Sequence, residues 1–207
     1  MKHCFALALA ACFFALPAAA QPGAALASAD SSAPAGDAAL APADVASALR
    51  KGGYVIYFRH AATDFSKNDA SMMGYGDCSN QRLLSDAGRQ SAREVGSRIA
   101  ALKLPVTEAF ASPMCRTLET ATLMLKKASP RNEMREGDSG DYPGLKVLLA
   151  KPVAPGSNRW LVGHGTPFRS VAGAPHLAEG EAAVIRPEGT RWTVVARLQP
   201  QDWAALK

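Results

Sequence analysis

The sequence predicts an α/β domain: a central, mostly parallel sheet flanked by helices. Two observations carry that. Short apolar runs such as YVIYF, residues 54–58, have the β-branched and aromatic character of strands buried on both faces. Between them lie segments with apolar residues at helical spacing, of which LLSDAGRQSAREVGSRIAALKL, residues 83–104, is the clearest. Strands alternating with helices imply right-handed crossovers and a parallel core.

In chain order, Val45 to Arg50 is a short helix with Asp44 as its cap, ended by Gly52-Gly53. Tyr54 to Phe58 is the first strand, and residues 64–82 are polar and irregular. Ser85 caps a helix whose buried stripe is Ala92, Val95, Ile99 and Leu102, and Pro105 stops it. Glu108 to Ala111 is a second strand leading into SPMCRTLETATLML, helical in its later part. Residues 129–144 are rich in turn formers, Leu145 to Ala150 is a helical turn, and Trp160 to Val162 is the third core strand. Ala183 to Ile185 and Trp192 to Leu198 form a hairpin.

The N-terminus reads as an export signal over residues 1–20: Lys2, the run FALALAACFFAL, then Ala18-Ala19-Ala20. That run is too short and wrongly flanked for a membrane span. The alternative is a lipoprotein signal, LAAC, which would lipidate Cys12. Residues 21–43 are nearly all Ala, Pro, Gly, Ser and Asp, a flexible leader without side chains to bury. The folded domain is expected over residues 44–207, periplasmic or secreted.

The whole chain carries +5. Leaving out Lys2, then Asp30 and Asp37, puts the domain at about +6, which favours an anionic partner. No zinc finger, basic helix or aromatic-basic interleaving points to nucleic acid. Beyond the signal only Cys78 and Cys115 remain, an even pair that an oxidising compartment would bridge; two free thiols are the alternative.

In open α/β sheets the site lies beyond the carboxyl ends of the strands. Three strand ends here deliver Arg59-His60, Ser112 to Arg116, and His164. Both histidines follow an apolar run and precede small residues, leaving room for a ligand. His176, in APHLAEG, reads as a surface residue. No third ligand stands at metal-binding spacing, and Gly-x-Ser-x-Gly is absent, so neither a metal centre, another cofactor nor a serine hydrolase is expected. Two histidines with two arginines suit a tetrahedral anion: arginine binds phosphate oxygens and stays charged, and a neutral imidazole can carry a phosphoryl group.

Four blocks spanning residues 54 to about 198 resemble the histidine phosphatase superfamily, which contains the cofactor-dependent phosphoglycerate mutases: FRHAAT, LLSDAGRQSA, ASPMCRTLETA and LVGHGTPFR. Their order is more specific than any one of them. The resemblance implies a phosphoglycerate mutase-like three-layer sandwich, with His60 as nucleophile and Arg59 and Arg116 as phosphate clamps. His164 would donate to a phosphate oxygen, and Thr63 would support the first loop. Gly88 and Arg89 are read as the start of a helix rather than as substrate contacts.

Two departures stand out. Ala61 and Ala62 replace the family's glycine and glutamate. The interval between Arg116 and His164 is short, without the long insert that supplies an acid and a lid in mutase-type members. Glu181, just before a strand, is the favoured acid or substrate contact, ahead of Glu179, Glu133 and Glu136. The reading is therefore an exported, metal-independent phosphatase for a small phosphorylated substrate such as a sugar or envelope phosphate. The rivals are an inactive phosphate-binding module on the same fold and a phosphotransferase.

Overall fold

A computed structural model of the protein describes residues 39–135 and 140–207. The expected signal, most of the leader, Cys12 and Glu136 fall outside the described residues. The strands β1 (Tyr54–Arg59), β2 (Glu108–Ala111), β3 (Ser129–Pro130), β4 (Asn158–Gly163), β5 (Ala182–Pro187) and β6 (Trp192–Leu198) form one sheet in the order β3-β2-β4-β1-β5-β6. β3, β2, β4 and β1 run parallel; β5 is antiparallel to β1, and β6 to β5.

The continuous apolar runs are central strands for the expected reason. Every residue of β4 is buried, and so are Val55 to Phe58 of β1. Successive side chains point to opposite faces. Ile56 and Phe58 pack with Trp160 and Val162 against α1 (Pro42–Lys51), α2 (Asp86–Ala101) and α3 (Cys115–Leu125). Val55, Tyr57 and Leu161 pack on the other face with α4 (Pro143–Ala150) and α5 (Gly165–Ala172), through Leu145, Leu149 and Phe168. Helix, sheet, helix is the expected three-layer sandwich.

Several boundaries differ from the sequence reading. α1 begins at Pro42, inside the expected leader, with Asp44 in its first turn and no side-chain cap. Pro is favoured at a helix start because its missing N–H has no intrahelical partner there. The stretch after His164, given no element in the sequence reading, is helix α5. A short 3-10 helix, Pro200–Ala205, buries Trp203 against Phe58 and Trp160.

Register positions the site. Phe58 pairs with Val162 and Arg59 with Gly163, so β1 and β4 end level and release His60 and His164 side by side. Ala111 also pairs with Val162, bringing Ser112 to the same edge. α2 is fastened to this edge at its start. Ser85 caps it, its hydroxyl accepting the Gly88 N–H at 3.0 Å, and the Ser85 N–H donates to the Ala62 carbonyl at 3.0 Å.

Gly88 permits that fastening. A Cβ there would stand 2.0 Å from the Ala62 carbonyl oxygen, a backbone atom that cannot swing away. Gly88→Ala should therefore destabilise by about 2 kcal/mol, lowering the melting temperature by roughly 5 °C. An unchanged melting temperature would mean that the two segments do not touch.

Candidate active site

His60 leaves the end of β1 and is buried. Its backbone N–H donates to the Gly163 carbonyl at 3.0 Å. Its Nδ1 lies 2.9 Å from the Ala61 carbonyl, which can only accept, so Nδ1 carries the proton. Nε2 is then the nitrogen with a free lone pair. The Ala61 N–H donates to Thr120 Oγ1 at 3.1 Å, tying the loop to α3. Ala61 and Ala62 avoid left-handed backbone: among the described non-glycine residues only Lys103, Lys126 and Tyr142 have positive φ. Alanine in place of the family's glycine is thus unstrained here.

His164 follows the last residue of β4 and immediately precedes α5. Tyr57 holds its backbone twice: the phenol donates to the His164 carbonyl and accepts the His164 N–H, both at 2.9 Å. Its Nε2 sits 2.8 Å from Ser112 Oγ. The His60 and His164 rings meet edge to face with centroids 5.6 Å apart.

The two expected arginines flank this pair. Arg59 donates through Nη1 to the Leu177 carbonyl at 2.8 Å and approaches Glu179 at 3.4 Å. Arg116 donates to Asp69 at 3.0 Å and is only 4% exposed. The Nε–H of each is buried without a partner in the protein. Buried donors are almost always satisfied, so two orphaned guanidinium donors at one site suit an incoming anion.

The pocket between them has a volume of about 340 Å³. Arg82 and Arg135 join Arg59 and Arg116 on its walls, with His176 beside His60 and His164. The first turn of α5, Gly165 to Pro167, completes it, so the positive end of a helix faces the same space. Among the described residues that line it there is no carboxylate.

The acidic candidates distribute otherwise than expected. Glu181 accepts Arg197 Nε at 2.8 Å and the Ala178 N–H at 2.7 Å and does not line the pocket. Glu133 lies 3.5 Å from Arg131 and is also outside. Among the described candidates Glu179 is the one bonded to the residues around His60. It accepts the Thr63 N–H at 3.0 Å and the Thr63 hydroxyl at 2.8 Å, approaches Arg59, and lies 4.0 Å from His60 Nδ1. Neither Glu179 nor Thr63 lines the pocket; the two tie the segment after His60 to the turn before β5.

Cys78 and Cys115 form the expected disulfide. The bridge joins the 64–82 loop to the start of α3, one residue before Arg116. That loop returns Asp69 to Arg116 and Arg82 to the pocket. Asp69, Arg82, Arg135 and His176 were not foreseen: the first three lie in irregular segments with no motif, and His176 looked like a surface residue. It is indeed exposed, but at the pocket's rim, where Gly165 admits it; a Cβ on Gly165 would stand 1.8 Å from His176 Cε1.

Burial pushes the His60 imidazole down to about 4, with Arg116 and Arg59 adding repulsion. Burial and Arg116 hold His164 well below its ordinary range. Both rings are neutral near pH 7, and each would return to about 6.5 in the unfolded chain. As pH falls from about 6.5 toward 4 the unfolded chain binds more protons than the folded one, so stability present above that window is lost through it. The wild type should lose about 3 kcal/mol more than His60→Asn between pH 7 and 4, read from denaturant unfolding. Equal losses would contradict a buried neutral His60.

The family model for the histidine phosphatase superfamily (branch 1) matches residues 55–175, more than half of the chain. A search of curated proteins finds no significant match. Among solved structures, the protein histidine phosphatase SixA complexed with tungstate is 18% identical, with a TM-score of 0.52 over 72% of this chain and 98% of its own. Phosphoserine phosphatase from Entamoeba histolytica, in complex with 3-phosphoglyceric acid, is 14% identical, with a TM-score of 0.52 over 72% and 98%. At such identities these structures speak for the fold. The family match spans every pocket-lining residue except His176, and on that match the chain belongs to the histidine phosphatase superfamily, branch 1.

Proposed function

We propose that the protein hydrolyses phosphomonoesters through a phosphohistidine on His60, without a metal ion. The observation that carries this reading is the state of His60: neutral, with Nδ1–H engaged by the Ala61 carbonyl, at a pocket walled by four arginines. The phosphoryl group is held by Arg59 and Arg116, whose free Nε–H groups suit its oxygens, and by the first turn of α5. His60 Nε2 attacks phosphorus, the N–P bond forms, and the bond to the ester oxygen breaks. Charge on the equatorial oxygens is met by the guanidinium groups, the task a metal performs in other phosphoryl-transfer sites. With Ser112 donating to Nε2 of neutral His164, Nδ1–H of that ring donates to a phosphoryl oxygen. Water then attacks phosphorus, the N–P bond breaks, and inorganic phosphate leaves with His60 neutral again.

The leaving oxygen needs a proton, and the described lining residues include no carboxyl group to supply it. His176 and water at the rim take that part in this reading. General acid assistance is worth about 10²–10⁴, so esters of acidic alcohols should be favoured. p-Nitrophenyl phosphate should turn over about 10² faster in kcat than an alkyl phosphate, with rates unchanged by EDTA between pH 5 and 8. Equal rates for the two esters would restore a strong acid to the site, and loss of activity in EDTA would overturn metal independence.

Export belongs to the same proposal. The Lys2, apolar and Ala-rich N-terminal sequence and the Cys78–Cys115 bridge support delivery to an oxidising compartment.

A further inference from the structure

The 64–82 loop does more than brace Arg116. Among the described residues four large apolar side chains stand exposed, and two of them, Phe65 at 71% and Met73 at 91%, lie on this loop. Exposed apolar residues scattered singly mean little, but clustered at the mouth of a pocket they mark a binding surface. Phe65 sits under the Arg82 guanidinium, 4.5 Å from its ring centroid, and Arg82 is a wall of the phosphate pocket. Beside it, Met72, Met73, Gly74 and Tyr75 line an open cavity of about 300 Å³, with Arg135 as its remaining side. Arg135 lines the phosphate pocket as well, so the two spaces adjoin across one side chain.

The loop cannot simply fold these side chains away. The Asp77 carboxylate accepts the Met73 N–H at 3.1 Å, the Ser79 hydroxyl at 2.9 Å and the Asn80 amide at 3.0 Å. Gln81 Nε2 donates to the Tyr75 carbonyl at 2.8 Å, and Gln81 Oε1 accepts the Cys115 N–H at 2.9 Å. The Arg82 N–H donates to Asp69 at 2.9 Å, and the disulfide closes the base. A braced loop that keeps Met73 in water and Met72 half-exposed beside an anion pocket presents an apolar surface there. Methionine is the adaptable apolar residue, suited to a chain of variable shape.

We propose that Met72, Met73 and Tyr75 form a ledge for the non-phosphate half of the substrate, which is an aliphatic chain attached to the phosphate. This deepens the phosphatase reading and rests on its phosphate pocket. The polar end of the ligand would lie between Arg59 and Arg116, and its chain would pass Arg135 onto the ledge.

The test uses ligands that cannot be hydrolysed, so it does not depend on turnover. Ethylphosphonate, hexylphosphonate and inorganic phosphate are titrated calorimetrically into the wild type and into the double variant Met72→Ser/Met73→Ser. On an open ledge each added methylene should improve affinity about twofold, half the free energy of full burial, so hexylphosphonate, with four more methylenes, should bind the wild type about fifteenfold more tightly than ethylphosphonate. In the double variant the two should agree within about twofold. Equal affinities in the wild type would overturn the ledge and leave those methionines to a bilayer or a protein partner. The same preference retained in the variant would also overturn it. Phosphate binding with no chain-length effect would spare the pocket while removing the ledge; no phosphate binding at all would remove both.

Discussion

Replacing His60 with alanine lowers kcat/KM for p-nitrophenyl phosphate by about four orders of magnitude or more, the scale on which enzymes lose a nucleophile. No other imidazole of the pocket is placed to substitute, because Nε2 of His164 is held by Ser112 and His176 stands exposed at the rim. The fold should survive, since the loop is anchored by backbone: the residue 60 N–H on the Gly163 carbonyl and the Ala61 N–H on Thr120. Phosphate binding should survive too, because the arginines remain. The variant is therefore expected to bind phosphate within about tenfold of wild type while failing at chemistry. Retained turnover within tenfold of wild type would sink the assignment.

Arg116→Ala carries the second-largest effect, about 10³ in kcat/KM. The side chain is nearly sealed from solvent, and its charge is met within the protein by the Asp69 carboxylate and the Arg82 carbonyl. Such a guanidinium is already held in place by its partners when charge develops on the phosphoryl oxygens. Arg116→Lys keeps a charge but loses the planar fork and should recover only a fraction, about tenfold over alanine. The measurement is kcat/KM beside the inhibition constant of phosphate, and a loss below about threefold in both would remove Arg116 from the site.

Much of this arrangement was legible before any coordinates, for definite reasons. A strand buried on both faces must be continuously apolar, so β1 and β4 announced themselves, and what followed each was at the sheet's carboxyl edge. α2 showed its stripe because one face is buried and the other wet. α5 did not: it is short, it opens with glycine, and Pro167 in its first turn resembles a turn former, although a helix tolerates proline there. The choice between Glu179 and Glu181 could not be read from sequence. Only Gly180, with φ 81°, separates them, and that turn sends one carboxylate to Thr63 and the other to Arg197. Asp69, Arg82 and Arg135 reach the pocket through loops, where tertiary contact rather than periodicity decides position.

The most direct measurement is an alkaline rapid quench of the wild type with p-nitrophenyl phosphate, followed by mass mapping of the modified peptide. The account predicts one phosphoryl group on the peptide containing His60, labile to acid and stable to base, formed in the burst of p-nitrophenol and absent from His60→Ala. A steady-state enzyme that turns over rapidly yet carries no phosphoryl group at His60 at any quench time, or carries it on His164 or His176, would contradict it.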